Sequence, residues 1–354
     1  MRQSRFDETI RRLETKSMNP ISTDILEKFG LSSSRIERKF TTDLGAPKAV
    51  VSVTAFLGSL GKTWPHKEHL EWVLKRLNAI GRRLASEGAV AEVGPYLFTP
   101  AGDVVVLDGE WHYFLTSFFS GREAGPGDGR LLARVMGEFH RAGAFLIEGQ
   151  TEDARRRRSV VRQLRDYVLP NLTKAVDTGI TERGDALTNL IERVHWLLDN
   201  RAAEIDALPV CYCHGDFQLK NILIDDRSSD RIAVRIVDPG GAGVESRLHD
   251  LYFLVMGDDD GALVSDHQAL RQRMAEYQQY GGVLGDDELH LLPNAVQCKA
   301  AAVAAWSVEI FERSPKARQQ ILARYFTIAM RCVSETHINR DHIRSAVQLG
   351  RTCG

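Results

Sequence analysis

The chain has 354 residues, of which 43% are hydrophobic and 26% are charged, and its 46 Lys and Arg residues nearly balance its 47 Asp and Glu residues. At roughly 150 residues per domain, this length suits one large domain or two packed ones and excludes a short peptide or a disulfide scaffold. The net charge of −1 gives no general basic field, so we expect neither nucleic acid nor an anionic membrane surface as a partner.

Hydropathy and cysteine usage indicate a cytoplasmic protein. No apolar run reaches the roughly 18 to 20 residues that a membrane span needs, and the first residues mix acids with bases and lack the apolar core of a signal peptide. The cysteines are odd in number and lack the usual spacing of metal ligands, which favours reduced thiols over a disulfide framework. They are Cys211, Cys213, Cys298, Cys332 and Cys353.

The first third of the chain predicts β-strands and a single long helix. Residues 1–20 carry mixed charges and predict a surface helix or loose arm. A polar turn between two β-like segments, RIERKF and KAVVSVTAFL, predicts a two-stranded hairpin over residues 35–57. Apolar residues at helical spacing predict an amphipathic helix over residues 66–87, and three short strands separated by turn signals follow in residues 95–119. Residues 21–120 therefore predict a small β-rich lobe.

The pattern changes to helices after a glycine-rich stretch at residues 120–129. Helical periodicity then continues to about residue 336, interrupted by two strand-like segments, NILID and VRIVD. We expect residues 121–354 to form a large helical lobe that contains this short hairpin. The predicted fold class is α+β, with a small antiparallel β lobe followed by a larger helical lobe.

Two acids and an amide converge on the predicted hairpin. Asp216 lies five residues before Asn221, which opens the first strand, and Asp238 follows the second strand. Phosphoryl transfer needs a carboxylate that orients the attacking hydroxyl, and oxygen ligands that hold Mg²⁺ against nucleotide phosphates. Asp216 suits the first role, and Asn221 and Asp238 suit the second. A chance His-Gly-Asp turn is the alternative, and the spacing of all three residues argues against it.

The segment HGDFQLKN at residues 214–221 resembles the catalytic loop of the aminoglycoside phosphotransferase and choline kinase family, which has a two-lobed protein-kinase-like fold. The resemblance implies that His214 braces the loop and Asp216 is the catalytic aspartate. It also implies that Asn221 and Asp238 hold Mg²⁺, and that ATP or GTP is the phosphoryl donor. Asp250, in a later Asp-Leu pair, is similar to a structural aspartate of the family.

Other matches to the family are shorter. VMGEFHRAG resembles the family helix with the pattern L-x-x-x-H, in which His140 would be the histidine. A histidine on an apolar helix face is more often a hydrogen-bonded core residue than a ligand. WHYFLTSFFSG is similar to the last small-lobe strand and hinge, where main-chain groups near Ser117 and Phe119 are expected to meet the nucleotide base. Lys220, inside the loop, is expected to contact a phosphate or substrate, with plain solvent exposure as the alternative.

The sequence departs from the family pattern at two places. Gly240 stands where a second metal ligand is expected, so Asp238 has to serve alone. No strand carries an unambiguous lysine for the nucleotide phosphates. Lys67 is the preferred candidate, with Lys62 and Lys48 behind it, and Glu68 or Glu71 is its expected acidic partner.

The predicted function is transfer of the γ-phosphate of ATP or GTP to a hydroxyl of a small molecule. The resemblance favours an aminoglycoside, a nucleoside or another sugar-containing antibiotic, and a choline-like or sugar acceptor is the alternative. Acids at residues 258–260 favour a cationic acceptor, whereas Lys220 and the arginine run at residues 155–158 favour an anionic one. A solvated helix face is the default for that run. The rival class is a nucleotide-binding pseudokinase or structural protein, and a protein kinase is disfavoured by Gln218.

Overall fold

A computed structural model of the chain describes most residues from 23 to 351. The described ranges are 23–31, 38–41, 47–52, 55–61, 67–109, 111–117, 119, 121–147, 156–177, 184–226, 232–256, 264, 266–313, 327–338 and 340–351. Three predicted features lie outside these ranges: the N-terminal arm at residues 1–20, the lysine candidate Lys62 and the acidic run at residues 258–260. Among the described helices, none combines the length and the apolar character that a membrane crossing requires.

Contacts divide the chain into two compact units. The first comprises Met1–Gly88, Glu92–Arg122 and Leu223–Gly240, and the second comprises Ala89–Ala91, Glu123–Ile222 and Gly241–Gly354. The first unit thus takes in the NILID and VRIVD strands, because they form a sheet with a strand at Ala91–Val93. The predicted lobe bounds at residues 20 and 120 remain a proposal.

The first unit is built on an antiparallel sheet in the order β1-β2-β3-β7-β5, with β6 also paired to β7. One prediction is wrong here: the segment KAVVSVTAFL forms two paired strands rather than one, with an irregular register near Ser52. A second sheet has the order β4-β11-β10-β8. The strands are β1 Arg38–Thr41, β2 Pro47–Ser52, β3 Ala55–Gly61, β4 Ala91–Val93, β5 Tyr96–Leu97, β6 Val106–Asp108, β7 Trp111–Ser117, β8 Arg122–Glu123, β10 Ile222–Asp225 and β11 Ala233–Ile236.

The long helix predicted in this unit is confirmed as Lys67–Ser86. Its apolar residues recur every three or four positions and are buried together, which is the pattern of an amphipathic helix on a core. They are Leu70, Val73, Leu74, Leu77, Ile80 and Leu84. A short helix, Thr23–Lys28, precedes the strands and buries Ile25 and Leu26.

The second unit is mainly helical. A two-stranded antiparallel pair, β9 Cys211–Cys213 with β12 Gly243–Glu245, is also part of it. Its helices are Gly129–Ile147, Val160–Gln163 continuing through a π-helical turn at Leu164–Val168 into Leu169–Asp177, then Gly184–Asn200, Ala202–Ala207, Leu248–Val255, His267–Gly281, Asp286–Arg313, Thr327–Ile338 and Arg340–Arg351.

Helices Gly129–Ile147 and His267–Gly281 cross closely at the centre of this unit. A side chain at Gly137 would come within 2.8 Å of the Tyr277 carbonyl oxygen, so the close approach requires glycine. Three positions along, His140 therefore reaches Tyr277, and its Nδ1 lies 2.9 Å from the Tyr277 hydroxyl. Helix Gly129–Ile147 also packs against β9, the strand that leads into the loop at residues 214–221.

Candidate active site

The loop at residues 214–221, called the HGD loop below, connects β9 to β10 through a 3₁₀ turn at Leu219–Asn221. Gly215 has a φ of 75°, and a Cβ atom there would collide with the carbonyl oxygen of Gly241. Only glycine meets both conditions without strain. The Gly-Asp pair therefore turns the chain sharply and presents Asp216 at the turn.

Asp216 and Asn221 are brought together by this turn. The Asn221 Nδ2 donates to Asp216 Oδ2 at 2.8 Å and to the Asp216 main-chain oxygen at 2.9 Å. Gln218 donates to the other carboxylate oxygen. Asn221 is buried and Asp216 is half-buried. The amide therefore fixes the carboxylate while leaving it partly open to solvent.

Asp250 anchors the HGD loop from within the core. It is fully buried, and its carboxylate accepts hydrogen bonds from the amides of His214 at 2.7 Å and Gly215 at 2.8 Å, and from His140 Nε2 at 3.0 Å. Burial alone would raise the pKa of this carboxyl, but the hydrogen bond and charge of His140 lower it below its usual value. The anchor is therefore an ionised carboxylate with a donor on each side.

His214 occupies the position predicted to brace the loop. Its ring is buried and meets the rings of Phe139 and Phe217 edge to face, with centroids 6.4 Å and 5.6 Å away. Edge-to-face aromatic packing of this kind holds a ring in one orientation. The contacts of His214 are therefore with the core, and its backbone amide meets the anchor.

Two basic residues contact the main chain around the loop. Lys299, on helix Asp286–Arg313, donates to the Gly215 carbonyl oxygen. Arg158 donates to the Gly241 and Ala242 carbonyl oxygens at 2.6 Å and 2.8 Å. No sequence motif marks Lys299. Arg158 lies in the arginine run at residues 155–158, but its contact with these carbonyl oxygens was not predicted, because about eighty residues of chain separate the two.

The arginine run at residues 155–158 is not the solvated helix face that its composition favoured. In its described part, Arg156 is exposed, but Arg157 and Arg158 are half-buried and precede the helix that starts at Val160. That helix begins where it does because Ser159 caps it and the Asp206 carboxylate accepts from the amides of Val160 and Val161. The guanidinium groups before the cap turn inward to carbonyl oxygens instead.

A second buried ion pair lies beside the anchor. Glu245 and His249 are each about nineteen-twentieths buried or more, and their Oε2 and Nδ1 atoms are 2.9 Å apart. Burial would raise the pKa of the Glu245 carboxyl, but the charge and hydrogen bond of His249 lower it to about 2. Arg158 and Lys299 add to this lowering. The Glu245 carboxyl is therefore held in its ionised form.

In the first unit, Asp238 adopts an unusual backbone conformation. Its φ of 63° is the only positive value found at a non-glycine residue in the described ranges. Its carboxylate is near its own turn, since the Gly240 amide lies 3.4 Å from Oδ1. Such conformations cost free energy and concentrate at functional sites. Its charge also helps to raise the pKa of the Tyr96 hydroxyl, second to the burial of that ring.

The predicted nucleotide contacts of this unit are placed as follows. Lys67 opens helix Lys67–Ser86 and its Nζ is 3.3 Å from Glu71 Oε1, and it is about one-third exposed. Ser117 ends β7, where its hydroxyl accepts from Arg235 at 2.6 Å. The Arg235 guanidinium lies 4.8 Å from the centre of the Phe119 ring. Arg235 thus joins both hinge residues, and the sequence pattern did not reveal it.

A sequence model described as the phosphotransferase enzyme family matches residues 65–284, which is more than half of the chain. The chain belongs to the phosphotransferase enzyme family. The predicted family and the predicted enzyme class, a phosphotransferase, are thereby confirmed. No protein among the curated ones matches the sequence of this phosphotransferase.

Solved structures show that this phosphotransferase shares its fold with small-molecule kinases. It resembles the microcompartment-associated aminopropanol kinase with a TM-score of 0.59 and 14% identity, covering 92% of this chain and 98% of that one. It resembles a spectinomycin phosphotransferase in complex with ADP and spectinomycin with a TM-score of 0.58 and 13% identity, covering 92% of this chain and 100% of that one. It resembles an amicoumacin kinase in complex with AMP-PNP, Ca²⁺ and Ami with a TM-score of 0.53 and 14% identity, covering 88% of this chain and 93% of that one. The predicted protein-kinase-like α+β fold is confirmed.

Proposed function

We propose that this phosphotransferase moves the γ-phosphate of ATP or GTP to a hydroxyl of a small molecule, with Asp216 as the catalytic aspartate. The observation that carries the proposal is the Asn221–Asp216 hydrogen bond, which holds a half-buried carboxylate at the tip of an anchored loop. An aspartate is a weak base for an alcohol, so its contribution is to orient the hydroxyl and accept its proton late in a loose transition state.

The side chains suit a magnesium-nucleotide complex. Both hydrogen bonds from Asn221 to Asp216 use its Nδ2 atom, so its Oδ1 atom can serve as a metal ligand. Asp238 supplies a carboxylate, and Mg²⁺ prefers such oxygen ligands. When bound, Mg²⁺ would neutralise charge on the nucleotide phosphates. Gly240 offers no side-chain ligand, so Asp238 is the single acid proposed from that turn.

The remaining roles are proposed on the family resemblance and on position. His214 and Asp250 support the loop, and Lys67 is proposed to contact the nucleotide phosphates. Ser117 and Phe119 are proposed beside the nucleotide base. Lys220 is exposed, which is compatible with a contact to phosphate or substrate.

The similar kinases support nucleotide use and leave several acceptor classes open. One such structure holds ADP with spectinomycin and another holds AMP-PNP with Ca²⁺. These enzymes are named for aminopropanol, spectinomycin and amicoumacin. We propose a sugar-containing antibiotic or a related metabolite as the acceptor, with a role in resistance and a cytoplasmic site of action. Choline-like and sugar acceptors are the alternatives within the class.

The test is phosphate transfer from ATP or GTP, with Mg²⁺, to a panel of antibiotics, amino alcohols and sugars. Asp216→Asn keeps the size of the side chain but removes its basicity, so we expect a loss of about 10²- to 10⁴-fold in turnover with unchanged thermal unfolding. Asp287→Asn, an exposed acid at the start of a helix, is the matched control and should retain full activity.

The same assay separates the enzyme from a pseudokinase. Stabilisation of the protein by a nucleotide with no transfer to any acceptor, and no slow hydrolysis, would favour the pseudokinase. An Asp216→Asn variant as active as the wild type would remove the catalytic assignment.

A further inference from the structure

Two thiols and an imidazole form a buried cluster next to the HGD loop. Cys211 and Cys213 are alternate residues of β9, so their side chains share one face of the strand. Helix Gly129–Ile147 brings His140 to that face, and the ligand atoms of the three residues all lie within 4.8 Å of one another. None of the three is more than 3% exposed. The cluster is therefore set in the core, and its sulfur and nitrogen ligand atoms differ from the oxygen ligands proposed for magnesium.

The spacing of the thiols matches a metal site better than a disulfide. Their Sγ atoms are 3.6 Å apart, and both cysteines are free. A disulfide needs a separation of about 2.05 Å. Two Zn–S bonds of about 2.3 Å at a tetrahedral angle place the sulfur atoms about 3.8 Å apart. The distance between the two Sγ atoms is thus already close to the distance between two sulfur ligands of one zinc ion.

The imidazole is oriented in the way that metal-bound histidines are. The Asp250 carboxylate accepts from His140 Nε2 at 3.0 Å, which fixes the proton on that nitrogen. The other nitrogen, Nδ1, lies 2.9 Å from the Tyr277 hydroxyl, and it must be unprotonated to bind a metal. A carboxylate on the far nitrogen is the usual support of a histidine that ligates zinc. Rotation of the Tyr277 hydroxyl would free Nδ1 for a metal.

A fourth ligand is at hand. The main-chain oxygens of Glu245 and Ser246 lie 3.7 Å and 3.5 Å from Cys213 Sγ. Adjacent ligand atoms of a tetrahedral zinc site are about 3.5 Å apart, so both carbonyl oxygens are within ligand distance of an ion bound to Cys213. When the imidazole is neutral, exchange of two thiol protons for one Zn²⁺ leaves the total charge of the cluster unchanged. The exchange therefore introduces no uncompensated charge into the core.

We propose that His140, Cys211 and Cys213 form a binding site for one Zn²⁺ ion. The ion enters while the chain folds, because the ligands are closed off from solvent afterwards. It ties β9 to helix Gly129–Ile147 and so reinforces the segment that leads into the HGD loop. The site is structural, since all of its ligands are protein atoms.

The experiment measures the zinc content of the full chain, produced with added Zn²⁺ and purified without chelators. We expect about one zinc per chain in the wild type and less than about a tenth of that in Cys211→Ser/Cys213→Ser. The matched control is Cys298→Ser/Cys332→Ser, which removes two buried thiols outside the cluster and should retain the metal. Zinc should also raise the midpoint of thermal unfolding in the wild type and in this control, but not in the first variant.

X-ray absorption at the zinc edge makes the test independent of whether a variant folds. In the wild type we expect two sulfur ligands and at least one imidazole nitrogen in the coordination sphere. Absence of zinc from the wild type, retention of zinc by Cys211→Ser/Cys213→Ser, or a coordination sphere with only oxygen and nitrogen would each overturn the proposal.

Discussion

The HGD loop is held by two polar clusters that differ in depth and in origin. The outer cluster, formed by Asp216, Gln218 and Asn221, is half-open to solvent and lies within six consecutive residues of the chain. The inner cluster, around Asp250, is closed to solvent and joins residues from three distant segments. The proposed catalytic carboxylate and the groups that support it therefore come from different parts of the fold. The carboxylate can be partly exposed to solvent because its support is buried.

The inner cluster should be the more sensitive of the two in stability. Asp250→Ala removes an acceptor from two buried amides and from His140. Breaking a buried pair of this kind costs about 3–5 kcal/mol, against a total of about 5–15 kcal/mol for a typical protein. Urea unfolding followed by circular dichroism should show a loss of that size, and activity should fall with the folded fraction.

Asp216→Asn sharpens the comparison, because it changes the chemistry of the outer cluster while keeping the size of the side chain. It should leave the unfolding free energy within about 0.5 kcal/mol of the wild type, as is usual for sites away from the core. If Asp250→Ala were as stable as Asp216→Asn, the inner cluster would not be the structural support of the HGD loop, and the distinction between the two clusters would be wrong.

Acid should lower the free energy of unfolding by protonating Glu245, which lies beside the Asp250 anchor. Its folded pKa of about 2 is below its ordinary value of 4.5, so the carboxylate stabilises the fold fully above pH 4.5. This contribution, about 3 kcal/mol, is lost as the pH falls from 4.5 towards 2. The unfolding free energy of Glu245→Gln should therefore depend less on pH across this window than that of the wild type.

A wild type and a Glu245→Gln variant with parallel pH profiles would show that the His249 pair does not hold the carboxylate ionised. His249→Gln provides the matched change on the other side of the pair, and it should flatten the same window.

The smallest effect is expected at Lys299, which contacts the loop from a neighbouring helix. Lys299→Met keeps the length of the side chain and removes the donor to the Gly215 carbonyl. Loss of one charge-assisted hydrogen bond, worth about 1.5–3 kcal/mol, should lower turnover about tenfold or more by loosening Asp216, with the KM for nucleotide little changed. Steady-state kinetics should show this split.

Lys75→Met, on an exposed position of helix Lys67–Ser86, is the control for removal of a lysine charge. An equal effect of Lys75→Met, or a change in KM alone for Lys299→Met, would contradict a positioning role.

Local patterns were sufficient to predict much of the fold. The helix at Lys67–Ser86 carries its periodicity in consecutive residues, and the strand at Trp111–Ser117 is a run of mostly apolar and aromatic residues that follows a turn signal, so their existence and approximate ends were predictable. The break between β2 and β3 was not, because a run of β-branched residues suits one long strand as well as two paired ones. The structure of the NILID and VRIVD strands was predicted, but not their sheet partner at Ala91–Val93, which lies far away in the sequence.

The order of residues along the chain determined the family, the fold class and the outer cluster of the HGD loop. These features depend on short-range spacing, such as the five residues from Asp216 to Asn221. Tertiary structure alone decided the contacts of Lys299, Arg158 and Asp250, and the meeting of His140 with two thiols. Their partners are separated by long stretches of chain, and only the burial of apolar helices and the close crossing at Gly137 bring them together.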